Sequence, residues 1–286
     1  MNAKFYRKNS DGSVTCDLCF RGCKISDGNS GFCGVRENKA GELISPLLGK
    51  FCAVAVDPIE KKPLFHWQPG TFIYSLGSIG CTMDCPFCQN FQIAKPSGKI
   101  QCQEITPSEL VKNILELDLH AIAFTYNEPT LQAEYILECS QSFHDAGISV
   151  VLVTNGEMSK SASSELISCL KFTGGAANID VKAFDEKIYA KLGGSLEAVK
   201  DNVKSFVDAG IHTELTCLIV PGISDDREKF SEMVEWIAGI SRDIPLHVTR
   251  YFPRRFYTEP PTDKNILYSL ASIAKSKLKF VHIGNI

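Results

Sequence analysis

From residue 70 to the end, short runs rich in valine, isoleucine and other apolar residues alternate with amphipathic stretches of helical period. This alternation is the strongest constraint on the fold, because neighbouring parallel strands need long, usually helical, crossovers between them. Strands are expected at 72–79, 119–125, 148–154, 177–182, 212–220, 246–252 and 278–283. Between the first two, Thr106-Pro107-Ser108-Glu109 reads as a helix start: Thr106 caps, Pro107 takes the first helical position and Glu109 closes a capping box. Leu110, Val111, Ile114 and Leu115 then form one apolar stripe. Further helices fit 131–146, ended by Gly147, and 160–171, 195–209, 227–240 and 264–276.

Six or seven β-α units could build a doubly wound sheet or a barrel, and periodicity does not decide between them. The polar residues do more. Thr125-Tyr126-Asn127-Glu128-Pro129, Thr154-Asn155-Gly156, Asp180-Val181-Lys182 and Arg250 all fall just past strand ends, where (β/α) barrels carry their active sites. Residues 1–66 have a different texture, rich in cysteine, glycine and turn residues, and can scarcely bury a core of their own. The chain is therefore divided into a cysteine-rich N-terminal module at 1–66 and a barrel at 67–286.

A net charge of −3 gives no electrostatic reason to expect nucleic acid or an acidic membrane. No apolar run approaches the roughly 20 residues of a membrane span, and the opening Met-Asn-Ala-Lys-Phe-Tyr lacks a signal-peptide core. A cytoplasmic location is expected. In such a compartment, twelve cysteines point to metal or redox use rather than to disulfides.

Seven of the cysteines fall into two sets. Cys81-Thr82-Met83-Asp84-Cys85-Pro86-Phe87-Cys88 brings three thiols together at C-x3-C-x2-C spacing. An iron–sulfur cubane ordinarily takes four, so three leave one iron open. The competing reading is half of a structural zinc site, for which Cys102 is the nearest candidate fourth ligand and a weak one. Cys16, Cys19, Cys23 and Cys33, at C-x2-C-x3-C-x9-C spacing, suit either structural zinc or a closed auxiliary iron–sulfur cluster. Cys52, Cys102, Cys139, Cys169 and Cys217 are read as structural. His66 is read as a hydrogen-bonding residue, and no histidine pair has H-E-x-x-H spacing.

Cys81 to Cys88 with Gln89-Asn90, Tyr126-Asn127-Glu128-Pro129, Asp180-Val181-Lys182-Ala183-Phe184, Leu218-Ile219-Val220-Pro221-Gly222 and the Cys16-to-Cys23 stretch together resemble one family. It is the radical S-adenosylmethionine (SAM) superfamily, and within it the AmmeMemoRadiSam-system enzymes, relatives of the activases of pyruvate formate-lyase-type proteins. The resemblance implies a partial (β/α)6-type TIM barrel with a [4Fe–4S] cluster on Cys81, Cys85 and Cys88 and SAM on the open iron. It also implies SAM contacts at Phe87, Glu128, Asn155, Asp180 and Lys182. Glu128 has an alternative role as the cap of a helix starting near Pro129, and Asp180 with Lys182 one as an ordinary ion pair. Family members usually continue past the position of Ile286 into a short tail with another C-x-x-C pair, which lies outside this sequence.

The implied activity is reductive cleavage of SAM to a 5′-deoxyadenosyl radical that takes hydrogen from an unidentified substrate, with a protein of Memo or AMMECR type as the candidate. The implied electron donor is a flavodoxin or ferredoxin. Two alternatives stand beside this reading: a glycyl-radical-enzyme activase, and a non-catalytic zinc-binding interaction protein.

Overall fold

The computed structural model describes residues 3–96 and 98–286. Its N-terminal part is made of small antiparallel pieces. Strands β1 (Tyr6–Lys8), β2 (Val14–Cys16) and β3 (Lys24–Ile25) form one sheet, and β4 (Glu37–Lys39) pairs with β5 (Glu42–Ile44). Then come β6 (Lys50–Phe51), β7 (Ala53–Pro58), β8 (Phe72–Gly77), the short helix α1 (Phe91–Ala94) and β9 (Gln103–Glu104), which pairs back with β6.

From there helices and strands alternate as expected: α2 (Pro107–Leu115), β10 (Ala121–Phe124), α3 (Ala133–Asp145), β11 (Ser149–Thr154), α4 (Lys160–Thr173), β12 (Ala176–Asp180). The series continues through α5 (Glu186–Lys191), α6 (Leu196–Asp208), β13 (His212–Ile219), α7 (Arg227–Ile240), β14 (Leu246–Arg250), α8 (Lys264–Lys277) and β15 (Val281–Gly284). The capping box at Thr106 is present in both directions, and Gly147, at φ +67°, follows α3 in the left-handed conformation. Leu115 departs from the expected stripe, being exposed where Leu110 and Ile114 are buried. Helix α5 was not foreseen, although its start is marked by Asp185, whose carboxylate accepts the Ile188 N–H.

Eight strands form the main sheet in the order β15-β14-β13-β12-β11-β10-β8-β7. All neighbours are parallel except β7, which runs antiparallel to β8 along the edge. The two edge strands do not pair with each other, so six β-α units and a closing strand make an open, partial barrel rather than a closed one. Because β7 comes from Ala53–Pro58, the sheet begins before the boundary expected at residue 67: the alternating Ala-Val run pairs along the free edge of β8.

Side chains alternate across this sheet. Tyr74, Ile122, Phe124, Val150, Leu152 and Ile179 belong to the large core that includes the helices. Ile73, Ala121, Ala123, Val151 and Ala176 face the other way and pack with Ile59 and Leu64. The segment following β7 thus fills the amino-terminal end of the barrel, and polar interior residues hold it there. Asn178 Nδ2 donates to Pro63 O at 2.8 Å, and the wholly buried Glu214 accepts the backbone N–H groups of Phe65 (3.1 Å) and His66 (2.8 Å). With that end plugged, the carboxyl ends of the strands are left for chemistry. Among the described residues no helix is long and apolar enough to cross a membrane.

Candidate active site

The loop carrying Cys81, Cys85 and Cys88 leaves the carboxyl end of β8 and is fastened on several sides. Gly80 opens it at φ +97°; a Cβ there would lie 2.8 Å from Val35 Cγ1 and 3.0 Å from the Cys33 carbonyl, so only glycine lets the N-terminal module press against the loop. Asn127 accepts the Ser78 N–H at 2.9 Å and donates to the Gly80 carbonyl at 2.9 Å. Farther along, Asp84 N donates to Leu192 O at 2.8 Å, while the Pro86 carbonyl accepts Phe256 N (3.1 Å) and Tyr257 N (3.2 Å). Arg255 Nη1 donates to both Asp84 Oδ1 (2.6 Å) and the Cys85 carbonyl (2.9 Å).

Burial pushes all three thiols up, Cys85 to about 11. The other two cysteines add to the rise at Cys81, so the three groups share one electrostatic neighbourhood. Phe87 is buried among them with its ring edge-on to Tyr257, centroids 6.3 Å apart.

The expected polar residues come to the same end of the barrel. Asn155, just past β11, donates through Nδ2 to Thr82 Oγ1 at 2.8 Å and lies 3.7 Å from Cys81 Sγ. Glu128 is almost fully buried, and its carboxylate is engaged internally. Oε1 accepts from Thr130 N (3.0 Å), Thr130 Oγ1 (2.6 Å) and Thr154 Oγ1 (2.7 Å), and Oε2 accepts from Asn155 N (2.9 Å). It is the N-cap of the 3-10 turn Pro129–Gln132, the capping role that the sequence also allowed. Lys182 Nζ donates to Asp180 Oδ2 at 2.6 Å in a largely buried pair. Burial alone would lower the lysine, but Asp180 and the nearby Cys85 and Cys88 thiols carry it well above its usual value. Lys182 is therefore within electrostatic reach of the cysteine loop.

Several residues that hold this site carried no motif of their own. Arg255 and Tyr257 lie in an irregular loop after β14, where neither period nor spacing could mark them. Asn127 lies between Tyr126 and Glu128, and no motif marks it as the residue that ties Ser78 to Gly80. Glu157 is fully buried beside Asn155, and burial pushes its carboxyl up to about 8 although it accepts the Ser195 N–H. Gly194 packs so closely that a Cβ would sit 2.3 Å from Glu157 Oε1.

The donor set fits an iron–sulfur cluster: three thiols share one loop and one electrostatic neighbourhood, and soft thiolates are the ligands such a cluster takes. Cys102, the candidate fourth zinc ligand, neighbours Cys52 instead of the loop. Cys16, Cys19, Cys23 and Cys33 line one cavity together with Thr82.

A cysteine loop at the open end of a partial barrel, with buried polar groups converging on it, is the arrangement of a metal-dependent α/β enzyme. The sequence profile of the radical SAM superfamily matches residues 76–237, and the chain belongs to that superfamily. It is 37% identical over 289 aligned positions to the uncharacterized protein MJ0808 of Methanocaldococcus jannaschii, covering 99% of this chain and 85% of that one. It is also 29% identical to the putative glycyl-radical enzyme activating enzyme MJ1227 of the same organism, over 72% of this chain and 86% of the relative. In fold it is similar to a radical SAM methyltransferase from Sphaerobacter thermophilus, with a TM-score of 0.56 at 13% identity over 76% of this chain and 67% of that one. The protein is thus an activating-enzyme-like radical SAM enzyme. Membership implies a [4Fe–4S] cluster, SAM and a source of electrons.

Proposed function

We propose that Cys81, Cys85 and Cys88 hold the cluster and that SAM completes the fourth iron. The observation that carries this is the gathering of three thiols in one largely enclosed loop, with Lys182 in electrostatic reach of Cys85 and Cys88 and no fourth cysteine in the C-x3-C-x2-C loop. Once reduced by an external one-electron donor, a cluster held by Cys81, Cys85 and Cys88 would supply the electron for reductive cleavage of SAM to methionine and the 5′-deoxyadenosyl radical that takes hydrogen from the substrate. The chain's own residues orient and enclose. Phe87, Asn155, Asp180 and Lys182 line the SAM pocket, and Glu128 acts by fixing the Asn155 backbone. Asn127 and Arg255 hold the loop that the thiols sit on, keeping the reacting atoms in position. The plugged amino-terminal end of the barrel keeps water from that side.

The motif resemblance supports a finer reading, an AmmeMemoRadiSam-system enzyme whose hydrogen donor is a protein of Memo or AMMECR type and whose reductant is a flavodoxin or ferredoxin. A second reading, activation of a glycyl-radical enzyme, is favoured by the likeness to MJ1227. Anaerobic incubation with SAM and dithionite tests the common core: 5′-deoxyadenosine forms with the wild-type chain and not with Cys88→Ala. Equal product from both would sink the cluster assignment. Deuterium carried into 5′-deoxyadenosine from a labelled candidate protein identifies the substrate, and a glycyl radical signal on the partner selects the second reading.

A further inference from the structure

Outside this site the most unusual chemistry lies in the N-terminal module. Cys16, at the end of β2, and Cys19, Cys23 and Cys33, from the irregular segments that follow, line one cavity that is partly open to solvent. The thiols stand within electrostatic reach of one another: Cys19 feels the other three.

An independent observation points to what the cavity takes. Among the described residues four buried side-chain polar atoms lack any hydrogen-bond partner, and two of them, Arg21 Nε and Arg36 Nε, belong to residues that line this cavity. Arg36 is essentially buried, its Nη1 on Glu134 Oε1 at 2.8 Å and its Nη2 on the Lys4 carbonyl. Arg21 gives Nη2 to the Gly193 carbonyl and lies over the Phe32 ring, 3.7 Å from its centroid. Two cationic donors left unmatched around four thiols call for an anionic, sulfur-rich occupant that accepts N–H···S bonds.

We propose that Cys16, Cys19, Cys23 and Cys33 ligate a second iron–sulfur cluster, closed by four thiolates, with Arg21 and Arg36 donating to its sulfurs. A single zinc is disfavoured because no three of these groups are arranged to hold one ion. Four thiolates also leave no iron for SAM, in contrast to the barrel loop. The two sites are neighbours. Thr82, between Cys81 and Met83, lines the N-terminal cavity, and Lys95, whose Nζ donates to Phe32 O at 3.0 Å, lies within electrostatic reach of both Cys81 and Cys33.

The test uses the full chain with Cys81→Ala, Cys85→Ala and Cys88→Ala combined, reconstituted anaerobically with ferrous iron and sulfide and then desalted. Iron and acid-labile sulfide in equal amounts, with visible charge-transfer absorption unchanged by SAM, are expected; adding Cys19→Ser and Cys23→Ser abolishes them. Zinc in their place, or no metal, overturns the proposal. A second measurement avoids reliance on the triple variant's folding. In reduced wild-type protein, two electron paramagnetic resonance signals are expected, one shifted by SAM and one not, and Cys19→Ser/Cys23→Ser removes only the second. Loss of the SAM-shifted signal alone in Cys88→Ala reports on the barrel loop, so failure of either assignment is seen separately. A single iron signal in the wild type overturns this one.

Discussion

Asn155 Nδ2 donates to Thr82 Oγ1 at 2.8 Å, fastening the end of β11 to the cysteine loop. The asparagine is itself held at both ends: its N–H lies on Glu128 Oε2 at 2.9 Å and its Oδ1 accepts Glu157 N at 3.0 Å. A rigid amide beside Cys81 orients the loop as an outer partner orients a metal ligand. Asn155→Ala is expected to lower 5′-deoxyadenosine formation by about 10- to 100-fold, the range for outer-shell partners of metal ligands. Iron content should fall less than activity. Unchanged turnover at wild-type iron content would remove Asn155 from the site.

Asp180 and Lys182 act as one unit, since the 2.6 Å pair is largely buried and Lys182 also feels Cys85 and Cys88. Removing either partner leaves the other charge without its counter-ion. Asp180→Ala and Lys182→Ala should each reduce SAM cleavage by at least about tenfold, with the double variant no worse than the poorer single one. Strict additivity, read from initial rates at saturating SAM, would mean that the two residues work independently.

The sequence made the barrel legible because its parallel strands are nearly continuous apolar runs, such as the wholly buried Ala121–Phe124, bounded by helix caps whose side chains show themselves. Thr106, Ser159, Asp226 and Asp263 all accept the backbone N–H groups that capping requires. The cysteine loop was legible by spacing. What period and spacing could not reveal was support from distant chain: Arg255 lies 171 residues from Asp84, and nothing local to either residue records their contact. Glu128 shows the same limit. A strand-end acid reads as ligand first and cap second, and the Thr130, Thr154 and Asn155 donors show the cap.

Glu214 separates stability from chemistry. It sits near the amino-terminal end of β13, where its oxygens take the Phe65 and His66 N–H groups and lie 3.0 Å from His212 Nε2 and 2.7 Å from His247 Nε2. Burial would raise this carboxyl, but those four donors outweigh it and hold it far below the usual range. A depressed acid stabilises above the ordinary glutamate value, and that contribution is lost as pH falls through the folded-state value. Glu214→Ala orphans the buried donors and should cost about 2–3 kcal/mol in denaturant unfolding at neutral pH. SAM cleavage well below the melting temperature should be unaffected, because the residue lies at the end of the barrel opposite the cysteine loop. A fall in cleavage with unchanged stability would reverse that division.

Glu157 gives the opposite pH signature. Burial raises its carboxyl from 4.5 to about 8 in the folded chain, with Glu128 adding to the rise and the Ser195 N–H opposing it. Below pH 4.5 both folded and unfolded chains hold the proton, so there is no difference between them. As pH climbs from there toward about 8, the unfolded chain releases a proton that the folded chain retains. Stability should therefore decline over that window by up to about 1.4 kcal/mol per pH unit, then level off once the folded carboxyl also ionises. Glu157→Gln keeps an oxygen for Ser195 N and removes the titration, so it should be more stable than wild type near pH 8 and equal to it near pH 4. Urea unfolding midpoints across that range measure the difference. Parallel curves for the two proteins would place the Glu157 proton in solvent and remove the buried neutral acid from beside Asn155.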